Sequence, residues 1–372
     1  MATIEQDCSE TVSMAALPEC RQREWARRAM AILDAEGRRS ADTNLIYLPM
    51  PGLKNISLYL KDESTHPTGS LKHRLAKSLF LYGICNGWVR EGMTMVEASS
   101  GSTAVSEAYY ARLLNLPFVA VMPKTTSPQK IAAIRAQGGR CYLVDDPRTI
   151  YSEAARLAGE IGGHYLDQFT YAERATDWRG NNNIAESIFS QMRSEPDAVP
   201  SWIVMSAGTG GTSATIGRYI RLCNHDTKLC VADVEHSAFY EGWLTRNPAA
   251  TCARPTRIEG VGRPQVEKSF MPDVVDHMIK VPDVSSLAAM QVLSNYLGRR
   301  VGGSTGTNFF GLCEIARCMQ AQGQHGSIVT LICDNGERYA DTYYNPEWLA
   351  ANGFDIAPEA AKLEAFLSGN LH

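Results

Sequence analysis

Short apolar runs alternate with helix-length segments along most of this chain. Met93–Ala98 reads as a strand and Ala104–Leu114 as a helix. Phe118–Met122 has the unbroken apolar character of a buried parallel strand. Lys130–Gln137 reads as a helix stopped by Gly138 and Gly139. Arg140–Val144 follows as a strand and Ile150–Ile161 as a helix. The rhythm returns in strand Trp202–Met205, helix Thr212–Leu222, strand Leu229–Ala232, helix Asn308–Gln320 and strand Ile328–Ile332. Parallel strands need long crossovers, so this alternation restricts the chain to βαβ units around largely parallel sheets. The expected class is α/β. With 372 residues there is room for two domains or one large unit.

The segments that break the rhythm mark expected boundaries. Residues 1–45 have charged helical character between Arg21 and Arg39 and read as an extension docking on the body or on a partner subunit. Leu45–Pro51 reads as extended, because each proline disfavours helix in the residue before it. Residues 46–200 and 201–345 are the expected α/β domains. Residues 236–283, rich in Pro, Gly and charge, read as loops around a site, and 346–372 as a tail, either a helix or an arm.

Several function classes are disfavoured. Net charge is −4 with no basic block, so nucleic acid and anionic membrane are not expected partners. No apolar stretch approaches the roughly 20 residues that span a bilayer. Glu5, Asp7 and Glu10 leave no basic segment before an apolar run, as a secretory signal would need. None of the ten cysteines forms a C-x-x-C pair, and all are expected as reduced thiols of a cytoplasmic protein. The eight histidines form no HExxH-type set, so no catalytic metal is expected.

Four stretches carry candidate chemistry. Leu58 and Leu60 alternate with Tyr59 and Lys61 on a short strand, Pro67 and Gly69 break the chain, and Ser70 can cap a helix bearing Leu71, Leu75 and Leu79. Lys72 then sits in the first helical turn, where the dipole disfavours a cation and eases deprotonation. That suits a nucleophilic amine, although the same pattern describes a solvated lysine on an amphipathic helix. Ser206–Ser213 lies between strand and helix, and Gly208, Thr209, Gly210, Gly211 and Thr212 could cradle a phosphate. A dinucleotide loop with Asp233 as ribose-binding acid, hence an NAD-dependent dehydrogenase, is the rival reading. Ser99, Ser100, Gly101, Ser102 and Thr103 form a hydroxyl-rich turn suited to a carboxylate, or simply to helix capping. Gln168 is expected at a strand end, as a site residue or a loop amide. Asp334-Asn335-Gly336 follows the last strand, as site residues or a plain turn.

Taken together, and in this order, these stretches resemble the cysteine synthase/cystathionine β-synthase family of type II pyridoxal phosphate enzymes, from about Leu45 to Tyr344. The resemblance implies two three-layer αβα domains, a homodimer and pyridoxal 5'-phosphate as cofactor. Lys72 in Gly-Ser-Leu-Lys-His-Arg matches the Schiff-base lysine. Ser99–Thr103 matches the substrate-carboxylate loop, with Gln168 near that carboxylate, Gly208–Thr212 the phosphate loop, and Gly260-Val-Gly262 a glycine-rich substrate loop. Ser102 stands where the family usually has an asparagine bonded to the cofactor's ring hydroxyl. Asp334 stands where it often has a serine facing the pyridine nitrogen, with Asn335 as the neighbouring alternative. The runs around Lys72 and Gln168 are similar to bacterial L-cysteine desulfhydrases. The implied activity is β-elimination on cysteine giving sulfide, pyruvate and ammonia, with β-replacement, as in cysteine synthase, the alternative.

Overall fold

The computed structural model describes residues 18–39 and 42–369. The acidic stretch Glu5–Glu10 and Cys8 lie outside the described residues. The strands are β1 (Asn44–Leu48), β2 (Ile56–Asp62), β3 (Met95–Ala98), β4 (Phe118–Pro123), β5 (Arg140–Val144), β6 (His164–Tyr165), β7 (Trp202–Met205), β8 (Lys228–Val234), β9 (His277–Val281) and β10 (Gly326–Ile332). They form a six-stranded sheet in the order β1-β2-β10-β7-β8-β9 and a four-stranded sheet in the order β5-β4-β3-β6. Every pairing is parallel except β1 with β2 at the edge.

Period-two alternation builds a helix layer on each face of both sheets. In the larger sheet, Leu58 and Leu60 of β2 and Ile328 of β10 pack under α10 (Asp283–Leu297), α11 (Gly303–Ala321) and α13 (Ala357–Ser368). Their neighbours Tyr59 and Val329 point the other way, under α7 (Ile184–Met192), α8 (Gly211–Leu222) and α9 (Phe239–Thr245). In the smaller sheet, Met95 and Ala120 face α1 (Pro18–Gly37), α2 (Lys72–Cys85) and α3 (Ser102–Leu113). Val96 and Val121 face α5 (Ile150–Glu160). Each such Val, Leu, Ile or Met side chain, fully buried, contributes roughly 1.5–3 kcal/mol. The expected α/β class with three-layer units is therefore found. The remaining helices are α4 (Pro128–Ala136), α6 (Gln168–Ala175) and α12 (Pro346–Ala351).

The sheets do not divide at residue 200. β1 and β2 join the sheet of the second half, because β2 finds its parallel partner in β10 rather than in β3. The N-terminal helix docks on the body: Trp25, Ala29 and Leu33 of α1 are buried with α2 and α3. The tail is part of the larger core through Leu363, Phe366 and Leu367. Residues 236–283, expected as loops, also contain α9 and strand β9. Gln168 is not at a strand end; it opens α6, after Asp167 turns the chain in the left-handed region at φ +47°. The eight cysteines whose side chains are described have free thiols. Among the described residues no helix is long and apolar enough to cross a membrane.

Candidate active site

A cleft of about 620 Å³ is lined by both sheets' loops, a size suited to a small ligand. Its floor is the start of α2. Ser70 bridges to Asp334, and the Leu71 N–H donates to the Cys333 carbonyl at 2.8 Å, so the turn before α2 is pinned to the end of β10. Leu71, not Ser70, is the capping residue. The Ser70 hydroxyl instead accepts from the Lys72 N–H at 3.3 Å. Lys72 is the first residue of α2, as its spacing predicts. Burial pulls its amine down to about 8, against a smaller upward effect of Cys333. The amine is therefore partly neutral near neutral pH.

The glycine turn after β7 stands beside that amine. A Cβ on Gly208 would lie 3.9 Å from the Lys72 Nζ and would collide with the Gly260 carbonyl. Gly210 has φ +91°, and a Cβ there would come within 2.6 Å of the Phe270 nitrogen. Only glycine permits both this turn and this approach. Gly208, Thr209, Gly210, Thr212 and Gly260 all line the cleft. Gly211 does not; it opens α8 against Ala172. The N-terminus of α8 thus meets the cleft with its positive end. Asp233, the acid of the dinucleotide reading, lies inside β8, where it accepts the Tyr240 N–H at 2.9 Å, and does not line the cleft.

The hydroxyl-rich turn faces this loop from the smaller sheet. Ser100, Gly101 and Ser102 line the cleft. Ser99, Thr103 and Gln168 stand behind them. The Ser99 hydroxyl accepts from the Gly101 N–H at 3.3 Å, and buried Thr103 donates to the Gln168 side-chain oxygen at 2.8 Å. Gln168 is held in turn by its own N–H, which donates to Glu97 at 3.1 Å.

Asp334, not Asn335, enters the cleft. Asn335 is exposed and caps its own turn by accepting the Glu337 N–H at 2.9 Å. Asp334 is buried; its Oδ2 accepts from the Tyr339 hydroxyl at 2.7 Å and its Oδ1 has no partner. Burial raises its carboxyl, and the Arg338 guanidinium 3.9 Å away opposes that. The sequence reading missed Arg338, Cys333 and Arg263. Arg338 and Cys333 line the cleft, and Arg263 donates to the Gly208 carbonyl at 3.2 Å. The Gly336-Glu-Arg-Tyr339 run was the available signal for the first.

A family model described as pyridoxal-phosphate dependent enzyme matches residues 39–334. The chain is 58% identical over 348 residues to an L-cysteine desulfhydrase of Mycobacterium tuberculosis, covering 92% of this chain and 95% of that one. It is 25% identical over 330 residues to a cysteine synthase of Dictyostelium discoideum, covering 83% and 85%. A crystal structure of O-ureido-L-serine synthase superposes with a TM-score of 0.73 at 25% identity, covering 86% of this chain and 98% of that one. With a partly neutral, half-buried lysine beside a glycine cradle and a family match over most of its length, the chain belongs to the pyridoxal-phosphate dependent enzymes.

Proposed function

We propose that this chain removes the thiol of L-cysteine by pyridoxal phosphate-dependent β-elimination, consuming one water and releasing hydrogen sulfide, pyruvate and ammonia. The observation that carries the reading is the Lys72 amine, its affinity for a proton lowered by burial, beside the Gly208 turn in the same cleft as Ser100–Ser102. The 58% identical desulfhydrase supports cysteine as the substrate.

The residues present fit the cofactor. Asp334 offers a buried carboxylate oxygen without a protein partner, and the 208–212 turn is a cradle that any Cβ at Gly208 would close. On this reading Gly208, Thr209, Gly210, Gly211 and Thr212, with the N-terminus of α8, hold the phosphate. Asp334 would serve the ring nitrogen and favour its protonated form. Ser102 would serve the ring hydroxyl. When bound, the cofactor supplies an electron sink for the substrate's α-carbon.

The protein's own work is positioning and proton transfer. Ser100 and Gly101 bind the cysteine carboxylate, with Ser99, Thr103 and Gln168 fixing the turn and Gly260 closing the opposite wall. The Lys72 amine would take the substrate's α-proton. Sulfide then leaves from the β-carbon. Neutral Lys72 can act as this base near pH 8 because burial has already removed much of its affinity for a proton.

β-Replacement uses the same residues, and the cysteine synthase relative supports it as the second reading. Purified enzyme assayed with L-cysteine alone should release sulfide and pyruvate in equal amounts. Faster formation of cysteine from O-acetylserine and sulfide would overturn elimination as the main activity. The reading extends to a cytoplasmic homodimer, in keeping with the free thiols and the resemblance; sedimentation equilibrium checks the assembly.

A further inference from the structure

β8 and β9 are neighbours in the larger sheet, and three side chains converge just beyond their C-terminal ends. Glu235 and His236 follow β8, and Asp283 opens α10 after β9. One ligand atom from each lies within 4.8 Å of the others. Bonds of about 2.0–2.2 Å at tetrahedral angles put ligand atoms roughly 3.3–3.6 Å apart, inside that limit. None of the three lines the catalytic cleft.

Asp283 is the telling residue. It is 1% exposed, yet neither of its carboxylate oxygens has a hydrogen-bond partner, and the first turn of its own helix supplies none. Its backbone N–H donates to Glu235 at 3.1 Å, which brings a second carboxylate to the same place. The groups that face Asp283 are Glu235, His236 and Arg257. The Arg257 guanidinium is committed elsewhere: it donates to the Asn352 carbonyl at 2.6 Å and lies 3.8 Å from the centre of the Phe354 ring. The nearby Tyr343 hydroxyl accepts the Glu259 N–H and donates to the Arg257 carbonyl, so it offers Asp283 no proton. A buried carboxyl without donors, next to a second carboxylate, calls for a cation or a retained proton.

We propose that Glu235, His236 and Asp283 bind one divalent transition-metal ion, Mn2+ or Zn2+, at a structural site outside the catalytic cleft. Two carboxylates and an imidazole favour such an ion over Mg2+ or Ca2+, which prefer oxygen alone. The site reaches the glycine turn through few bonds. The Ser237 hydroxyl, next to His236, accepts the Arg263 N–H at 3.2 Å, and the Arg263 side chain donates to Gly208. An ion here braces the loop that backs the turn without entering the chemistry. The sequence showed no ligand motif because Glu235 and Asp283 are 48 positions apart.

Mn2+ titration of chelator-treated holoenzyme, followed by electron paramagnetic resonance with Zn2+ as competitor, tests this. One tightly bound Mn2+ per chain, displaced by Zn2+, is expected. Asp283→Asn and the less buried His236→Ala should each weaken binding at least about tenfold, with the visible absorbance of bound cofactor unchanged as the check on folding. A wild type that takes up neither ion stoichiometrically, or folded variants that bind Mn2+ as the wild type does, would overturn the proposal.

Discussion

The Arg338 guanidinium donates to the Ser102 hydroxyl at 2.5 Å, joining the turn after β10 to the first residue of α3 across the cleft. The same guanidinium stands 3.9 Å from Asp334. One side chain therefore spans the two loops that differ from the family's usual pattern. Ser102 is shorter than asparagine, and its oxygen already accepts from Arg338, which leaves its own proton to donate into the cleft.

Arg338→Ala should lower kcat/KM for L-cysteine about 10- to 100-fold, since a hydrogen bond from a charged group is worth about 1.5–3 kcal/mol. Arg338→Lys should recover part of it. The visible absorbance of the cofactor should persist in both, because Lys72 and the 208–212 turn are untouched. Steady-state kinetics of the three proteins decides; equal kcat/KM in all would remove Arg338 from the site.

On the proposed reading, attachment of the cofactor requires the neutral Lys72 amine, and burial sets its midpoint near pH 8 instead of the ordinary 10.5. The amine gains its proton below that midpoint, so reconstitution of cofactor-free enzyme should slow as pH falls through 8 and level off above about 9. At pH 7 roughly a tenth of the amine is neutral, some 300-fold more than for an ordinary lysine. Stopped-flow absorbance across pH 6.5–10 measures this. A rate still climbing at pH 10 would show an unperturbed lysine, and Lys72→Ala should neither bind the cofactor covalently nor turn over cysteine.

Gly210 adopts φ +91°, and an added Cβ would meet the Phe270 nitrogen at 2.6 Å and its Cβ at 2.8 Å. Gly210→Ala combines left-handed strain of about 1–2 kcal/mol with that overlap. The turn must shift, so cofactor affinity should fall at least about tenfold while the far-ultraviolet circular dichroism stays that of the wild type. Equilibrium dialysis with pyridoxal phosphate reads the first quantity.

These site residues differ in how far the chain alone exposes them. Lys72, the 208–212 turn and Ser100–Ser102 stand out in the chain because each sits at a local strand-to-helix or turn-to-helix junction, although each stretch alone also admits a second reading. Asp334 against Asn335 is not local: it depends on how the end of β10 bridges to Ser70. Arg338 needs the contact with Ser102, 236 positions away. The buried apolar strands declare themselves, whereas β2 pairing with β10 rests on contacts far apart in sequence. Strand β9, His277–Val281, hides because His277 and Lys280 interrupt its apolar residues and it follows a loop-rich stretch.

Beneath the hydroxyl-rich turn, Glu97 and Glu107 are both fully buried. Glu97 accepts the Ala98 N–H at 2.7 Å and the Gln168 N–H at 3.1 Å, so its charged form has donors. Neither oxygen of Glu107 has a donor, and the charged group acting on it is Glu97. Two acceptors can meet only by holding a proton between them, and burial pushes both carboxyls up. In the unfolded chain both titrate normally near 4.5. The folded state therefore binds more protons above that pH, and its stability falls as pH rises. Glu107→Gln supplies a permanent N–H donor to Glu97 and removes the need for the shared proton. The variant's Tm relative to wild type should increase from pH 5 to pH 8. A Tm difference that stays flat over this range would mean that the pair does not retain a proton.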